Sequence, residues 1–185
     1  MKNYDIINHV RGESQFIDDL NVPQGTLFAT VYGSPSAHGK ILNLDLSEAR
    51  AIKGVKDIIT YVDIPGQNQI GGIIKDEELL AEHEVHFMQM PIALVVAESE
   101  FIAREAARKI KIEIEQYEVI TEPREAFAKN KLIAPPRVFE GGNVDAAWAQ
   151  CDYIIEGDCD SGGQEHLYLE TQGAFAIPLE GGTFK

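Results

Sequence analysis

Apolar and polar positions alternate over several short stretches, and these predict strands. Residues 26–33 (TLFATVYG) and 41–46 each read as a strand, and residues 55–62 as a third. Between the second and third lies a short helix, residues 48–53. Ser47 is its expected N-cap, Glu48 sits in the first turn where the helix dipole favours an anion, and Gly54 is its left-handed stop. Strand, helix and strand at this spacing predict a compact crossover unit. Residues 90–97 (MPIALVVA) are continuously apolar over strand length, the pattern of a strand buried on both faces. Ser99 is the expected cap of the strongest helix, residues 100–110. Its apolar stripe is Ile102, Ala106 and Ile110 with Ala103 and Ala107 beside them, small enough to lie close against a sheet. Arg104, Arg108 and Lys109 fall off that stripe and face solvent. Lys111, Glu113 and Glu115 alternate with Ile112 and Ile114, giving a strand with one wet face, and Thr121 and Pro123 open a short helix through residue 129.

The remaining stretches are less regular. Residues 1–25 read as a lead-in with little regular structure, closed by a turn at Pro23 and Gly25. Residues 67–75, containing Gly71-Gly72, read as a loop. Periodicity disappears over residues 130–142, where Pro135-Pro136 and Gly141-Gly142 mark a domain boundary. Asn143 caps a helical turn through Trp148, whose indole is expected to pack on the strand that follows. That strand is residues 153–159, with Tyr153, Ile155 and Cys159 on one face and Glu156 and Asp158 on the other. Gly162-Gly163 breaks it, and a second extended run follows over residues 166–177. His166 and Glu170 share a face of this run, with Tyr168 between them. An imidazole and a carboxylate so placed can hydrogen-bond across to a neighbour or a ligand.

Composition narrows the possibilities. The 185 residues suffice for one full domain and part of another. A formal charge of −14 argues against nucleic acid and anionic membrane as partners, since both need a basic footprint. No apolar run approaches the roughly 20 residues that cross a bilayer. The first residues lack the apolar core of a signal peptide. Cys151 and Cys159 make neither a zinc pattern nor a disulfide framework; both read as small buried hydrophobes, and a cytoplasmic location is expected.

Candidate chemistry is sparse. The adjacent carboxylates Asp18 and Asp19 point apart on an extended chain and read as a solvated turn. His38, flanked by Ser, Pro and Gly, reads as a hydrogen-bonded turn residue. His83 and His86 have a spacing compatible with a metal pair, but no third ligand is identifiable nearby, so no metal site is expected. Neither a G-x-G-x-x-G nor a G-K-[ST] phosphate cradle is present. A hydrolase using His38 or His166 with an acidic partner lacks a nucleophile motif.

One stretch is more specific. Gly163-Gln164-Glu165-His166-Leu167-Tyr168-Leu169-Glu170 resembles the G-[GR]-Q-E-H-[FL]-Y-L-E signature of the molybdenum hydroxylases, the xanthine dehydrogenases, aldehyde oxidases and their bacterial relatives. The likeness extends along the chain. Residues 12–19 resemble the family's G-x-x-x-[FY]-[IV]-D-D, residues 34–41 its S-x-x-A-H-x-[KR]-I, residues 63–66 its D-I-P-G, and residues 90–98 its [GM]-x-P-[IV]-A-L-V-V-A-E. Gly181-Gly182-Thr183-Phe184 is similar to the family's Gly-rich cofactor loop, but it follows the Q-E-H motif too closely. It reads as a hairpin turn, and the cofactor loop is expected beyond Lys185.

The resemblance implies an α/β fold: an α/β-hammerhead domain followed by the start of the molybdenum-cofactor-binding domain. The implied organisation is a lead-in at 1–19, the hammerhead at 20–132, a linker at 133–142 and the truncated start of the cofactor domain at 143–185. The implied function is that of the N-terminal portion of a xanthine dehydrogenase-type subunit, which hydroxylates purines or aldehydes with oxygen derived from water. The complete enzyme carries a molybdenum–pterin cofactor, with [2Fe–2S] clusters and FAD in partner domains or subunits. The implied partners are the remainder of the molybdenum subunit and those iron–sulfur and FAD parts, in an assembly expected to be a homodimer. The family's catalytic residues have no matching positions here, so the chain alone is expected to be inactive and to bind no cofactor. Gln164, His166 and Glu170 are its only cofactor-site candidates, standing behind the groups that touch the cofactor. The alternative is a stand-alone hammerhead module for interaction or assembly, which would bury residues 153–177 against a partner because an isolated hairpin is marginal.

Overall fold

The computed structural model describes residues 4–167 and 172–185. In chain order the elements are α1 (Tyr4–Arg11), β1 (Phe28–Gly33), β2 (Gly39–Asp45), α2 (Ser47–Arg50), β3 (Val55–Ile59) and β4 (Glu84–Val85). They continue with β5 (Pro91–Ala97), α3 (Glu100–Ala107), β6 (Lys111–Gln116), α4 (Pro123–Ala128) and α5 (Val144–Trp148). The chain forms two compact units, residues 23–135 and residues 1–22 with 136–185.

The 23–135 unit contains two three-stranded sheets. β5 is central in the first, paired antiparallel with β1 and β3; β2 is central in the second, paired antiparallel with β4 and β6. The expected crossover is therefore corrected, because β2 and β3 lie in different sheets. A parallel crossover takes about a dozen residues or more. Residues 46–54 are too few, and α2 is a single turn. Ser47 is also not the cap: it is the first helical residue, and its N–H donates to Asp45 Oδ1 at 2.9 Å. The Ser47 hydroxyl and N–H hold the Asp45 carboxyl below the usual carboxylate range. Gly54 does end this connection, at φ 97°, in the left-handed region where a Cβ is strained. The strand expected over 55–62 stops at Ile59, because Thr60 opens a 3-10 turn over Tyr61–Asp63. The Thr60 N–H and hydroxyl both donate to Asp63 Oδ2, at 2.8 and 3.1 Å, and hold that carboxyl low.

The core forms on both sides of β5, as its unbroken apolar run requires. On one side Ala93, Val95 and Ala97 pack with Ile58, Ala49 and the α3 residues Ala103, Ala106 and Ala107. The small α3 stripe permits this close approach, and Ser99 caps α3 by accepting from Ile102 N–H at 3.3 Å. Ile92, next to Ala93 and so on the other face, packs with Ala81, Val85 and Met90, and with the partly buried Ile41, Leu44, Ile112 and Ile114. The expected wet face of β6 is present, since Lys111, Glu113 and Glu115 are exposed. Lys111 pairs there with Glu48, which pushes the Lys111 ammonium up.

In the other unit, residues 4–11 are helical and correct the expected unstructured lead-in. Ile6 and Val10 are one helical turn apart, a repeat too short to register as periodicity in a sequence. Asp19 Oδ2 accepts from Phe16 N–H at 2.9 Å, so the acidic pair closes a turn as expected. Asn143 caps α5, accepting from Ala146 N–H at 3.0 Å. The two strands expected over 153–177 are corrected: among the described residues, neither 153–167 nor 172–177 forms a strand. Alternation selects a face, but a strand also needs a neighbour for its N–H and C=O groups. None of the described residues supplies one for 153–167, where Tyr153 and Ile155 are exposed, and in the second run Ile177 at its end finds one in Lys185. Trp148 accordingly has no strand to pack on and is half exposed. Cys151 and Cys159 are exposed thiols, not buried hydrophobes, because no core encloses this segment. The hairpin turn at Gly181-Gly182 is present: Ile177 and Lys185 exchange backbone hydrogen bonds at 2.8 and 2.9 Å, and Pro178 bridges to Phe184.

Candidate functional site

Gln164 and His166 are exposed, and the recorded bond at His166 is local, from its own N–H to Glu165 Oε1 at 2.9 Å. Glu170, with Tyr168, lies outside the described residues. From residue 136 onward only Phe175 and Ile177 are partly buried among the described residues. A cofactor site needs an enclosed, mostly apolar pocket with a few convergent polar groups. The described residues do not build one for a molybdenum–pterin group. An open apolar depression lined by Val144, Ala147, Trp148 and Cys151 carries no charged group.

Side chains with coordinating chemistry do converge in the 23–135 unit, at His38, Glu84 and His86. The loop before His38 is fixed by its two buried serines. Ser34 N–H donates to Met90 O and Ser34 O accepts from Gln89 N–H, both at 2.9 Å. Ser34 Oγ donates to Ser36 O at 2.7 Å and accepts from Ser36 N–H at 3.0 Å. His38 is thus delivered at the start of β2. Its carbonyl accepts from Tyr117 N–H at 3.1 Å, and its ring meets the Tyr117 ring edge-on at 5.2 Å.

β4 supplies the other two groups. It pairs with the start of β2, Lys40 opposite Glu84 and Gly39 opposite Val85. Val85 is fully buried, so Glu84 and His86, two residues apart, turn to the other side. His38 Nε2 lies 3.1 Å from Glu84 Oε1, and His86 Nδ1 lies 3.7 Å from the same oxygen. His38 Nδ1 lies 3.0 Å from the backbone carbonyl of Glu118. A carbonyl only accepts, so Nδ1 carries the proton. The Glu118 carboxylate is engaged elsewhere: Lys129 donates to it and holds it below the usual range.

His38 is therefore the hydrogen-bonded turn residue that its flanking residues predict. The His83–His86 pair does not form. His83 and His86 flank β4 three positions apart, an odd number that turns them to opposite sides; His83 pairs with Glu82 at 3.4 Å and meets the Tyr61 ring edge-on at 6.2 Å. The strand period offered the better pair, Glu84 and His86 flanking the apolar Val85. His38 could not be joined to them from sequence, because only the β2–β4 register brings it near.

Residues 11–118 match the aldehyde oxidase and xanthine dehydrogenase a/b hammerhead domain, and residues 125–185 match the molybdopterin cofactor-binding domain. Aldehyde oxidase 1 of Bos taurus is 40% identical over 174 residues, covering 93% of this chain and 13% of that protein. Aldehyde oxidase 4 of Mus musculus is 42% identical over 173 residues, with the same two coverages. The chain thus spans about one eighth of the length of these curated relatives. Among solved structures, the aldehyde oxidoreductase from Desulfovibrio gigas superposes with a TM-score of 0.70 at 29% identity, covering 82% of this chain and 19% of that one. No helix among the described residues is long and apolar enough to cross a membrane.

Proposed function

We propose that this chain, which belongs to the aldehyde oxidase and xanthine dehydrogenase family, is the hammerhead and opening cofactor-domain portion of a molybdenum hydroxylase subunit. The observation that carries this reading is the succession of two family matches, 11–118 and then 125–185, along a chain spanning 13% of its relatives. The hammerhead is assigned to residues 20–132 and the start of the cofactor domain to 143–185, joined by the linker 133–142. The molybdenum–pterin group supplies the redox chemistry of such an enzyme, and the protein holds and orients it. Gln164, His166 and Glu170 would stand behind the groups that touch it. The named relatives are aldehyde oxidases and an aldehyde oxidoreductase, which supports aldehydes ahead of purines as substrate. Iron–sulfur and FAD parts would take the electrons, in a cytoplasmic assembly containing two copies of each subunit.

Within this division of labour the 185-residue chain contributes architecture and not turnover. The purified chain, made in a host that synthesises the molybdenum cofactor, should retain no molybdenum and oxidise neither an aromatic aldehyde nor hypoxanthine. Metal analysis and a dye-reduction assay check this. Measurable turnover by the chain alone would contradict the proposal.

A further inference from the structure

We propose that His38, Glu84 and His86 form a binding site for a divalent transition-metal ion of the zinc class. The starting point is the His38 ring. Its Nδ1 proton is given to the Glu118 carbonyl, which leaves Nε2 as a lone-pair donor. That lone pair faces a carboxylate oxygen at 3.1 Å. Two acceptor atoms held this close repel unless a positive centre lies between them. A proton on Nε2 would satisfy this pair alone. It leaves His86 Nδ1 without a role, 3.7 Å from the same oxygen and beyond hydrogen-bond range. A metal ion accounts for all three groups.

The spacing suits such an ion. Bonds of about 2.0–2.1 Å to nitrogen and carboxylate oxygen place tetrahedral ligands roughly 3.3 Å apart. The separations of 3.1 and 3.7 Å to Glu84 Oε1 bracket that value, and all three ligating atoms lie within 4.8 Å of one another. Two imidazoles and one carboxylate suit zinc and its neighbours, whereas magnesium and calcium prefer an all-oxygen set. The bond from Nδ1 to a backbone carbonyl is the outer contact that fixes a ligating histidine's tautomer and orientation. The frame is preorganised, since Glu84 lies in β4, His86 follows that strand directly, and His38 immediately precedes its partner strand β2. The side chains are 36%, 40% and 56% exposed, so an ion can enter and water can complete the coordination. Bound metal would clasp the β2–β4 edge of the second sheet to the carbonyl that follows β6.

The test is a calorimetric titration of the full 185-residue chain with zinc chloride. A background of Cys151→Ser and Cys159→Ser removes two exposed thiols that bind zinc themselves. One ion should bind per chain, and magnesium should give no heat. Glu84→Gln and His86→Ala should each weaken zinc binding at least as much as losing an outer contact does, about 10–100-fold. His83→Ala should leave it unchanged. A second readout needs no change at the site: zinc should shift the imidazole resonances of His38 and His86 and not those of His83. Absence of zinc binding, affinity unchanged in both ligand variants, or shifts confined to other histidines would overturn the proposal.

Discussion

Ile58→Ala should destabilise the 23–135 unit by about 2–5 kcal/mol, with the value in the upper half of that range. Ile58 is fully buried on β3 opposite Val95, in a cluster whose buried members are mostly alanines (Ala49, Ala93, Ala97, Ala103, Ala106 and Ala107). Truncation removes three carbons from the centre of that cluster. A core with long flexible side chains can relax into such a space. Alanines have no rotamers to do so, and their backbones are pinned in the β1–β5–β3 sheet, in α2 and in α3. The cavity should therefore persist, adding its own cost to the lost burial. Urea denaturation of wild type and variant measures the effect as a shift in midpoint at constant slope. Ile73→Ala, at a fully exposed isoleucine, is the control and should stay within about 0.5 kcal/mol of wild type. A loss below about 1 kcal/mol for Ile58→Ala would mean that this core is not close-packed.

The second large effect is expected at Gly39. A Cβ placed there meets the Glu115 carbonyl oxygen at 2.5 Å and Ile114 Cγ2 at 2.6 Å. The isoleucine could turn aside, but the carbonyl is backbone of the paired strand, one residue before Gln116, the partner of Gly39 in the β2–β6 ladder. Gly39→Ala must therefore push β2 and β6 apart at the point where His38 enters the sheet. The cost should be about 1–3 kcal/mol, typical of overpacking. It should also loosen the His38 contacts to Glu118 and Glu84. Gly72→Ala is the matched control, since its Cβ meets nothing within 4 Å. Equal urea midpoints for the two variants would show that β2 and β6 are not held at this separation.

What was legible in the sequence follows from the range over which each interaction acts. β5 and α3 could be read because their environment is written into consecutive residues: an unbroken apolar run for a strand covered on both faces, and a small-residue stripe for a helix lying close to it. β6 showed the alternation of a one-sided strand. The pairing of β2 with β6 and β4, and of β3 with β5, could not be read, because antiparallel partners far apart in sequence leave no local mark. The crossover expectation failed on a different ground, since residues 46–54 are too few to carry a parallel connection. Residues 153–159 carry an alternating pattern with no partner among the described residues, so pattern alone overstated the structure. Of the chemistry, the tyrosine and carbonyl around His38 and its approach to Glu84 were invisible, since each depends on strand register. The family likeness was legible because its motifs are strings of adjacent residues.

The most direct measurement is made on the native protein that carries this sequence. An antibody raised against the 185-residue chain would isolate it from its own cells, for denaturing mass measurement and molybdenum quantification together. The expected result is a polypeptide several times longer than 185 residues with close to one molybdenum per copy. A molybdenum-free polypeptide of 185 residues would contradict it, and would move the search for function to whatever that short chain binds.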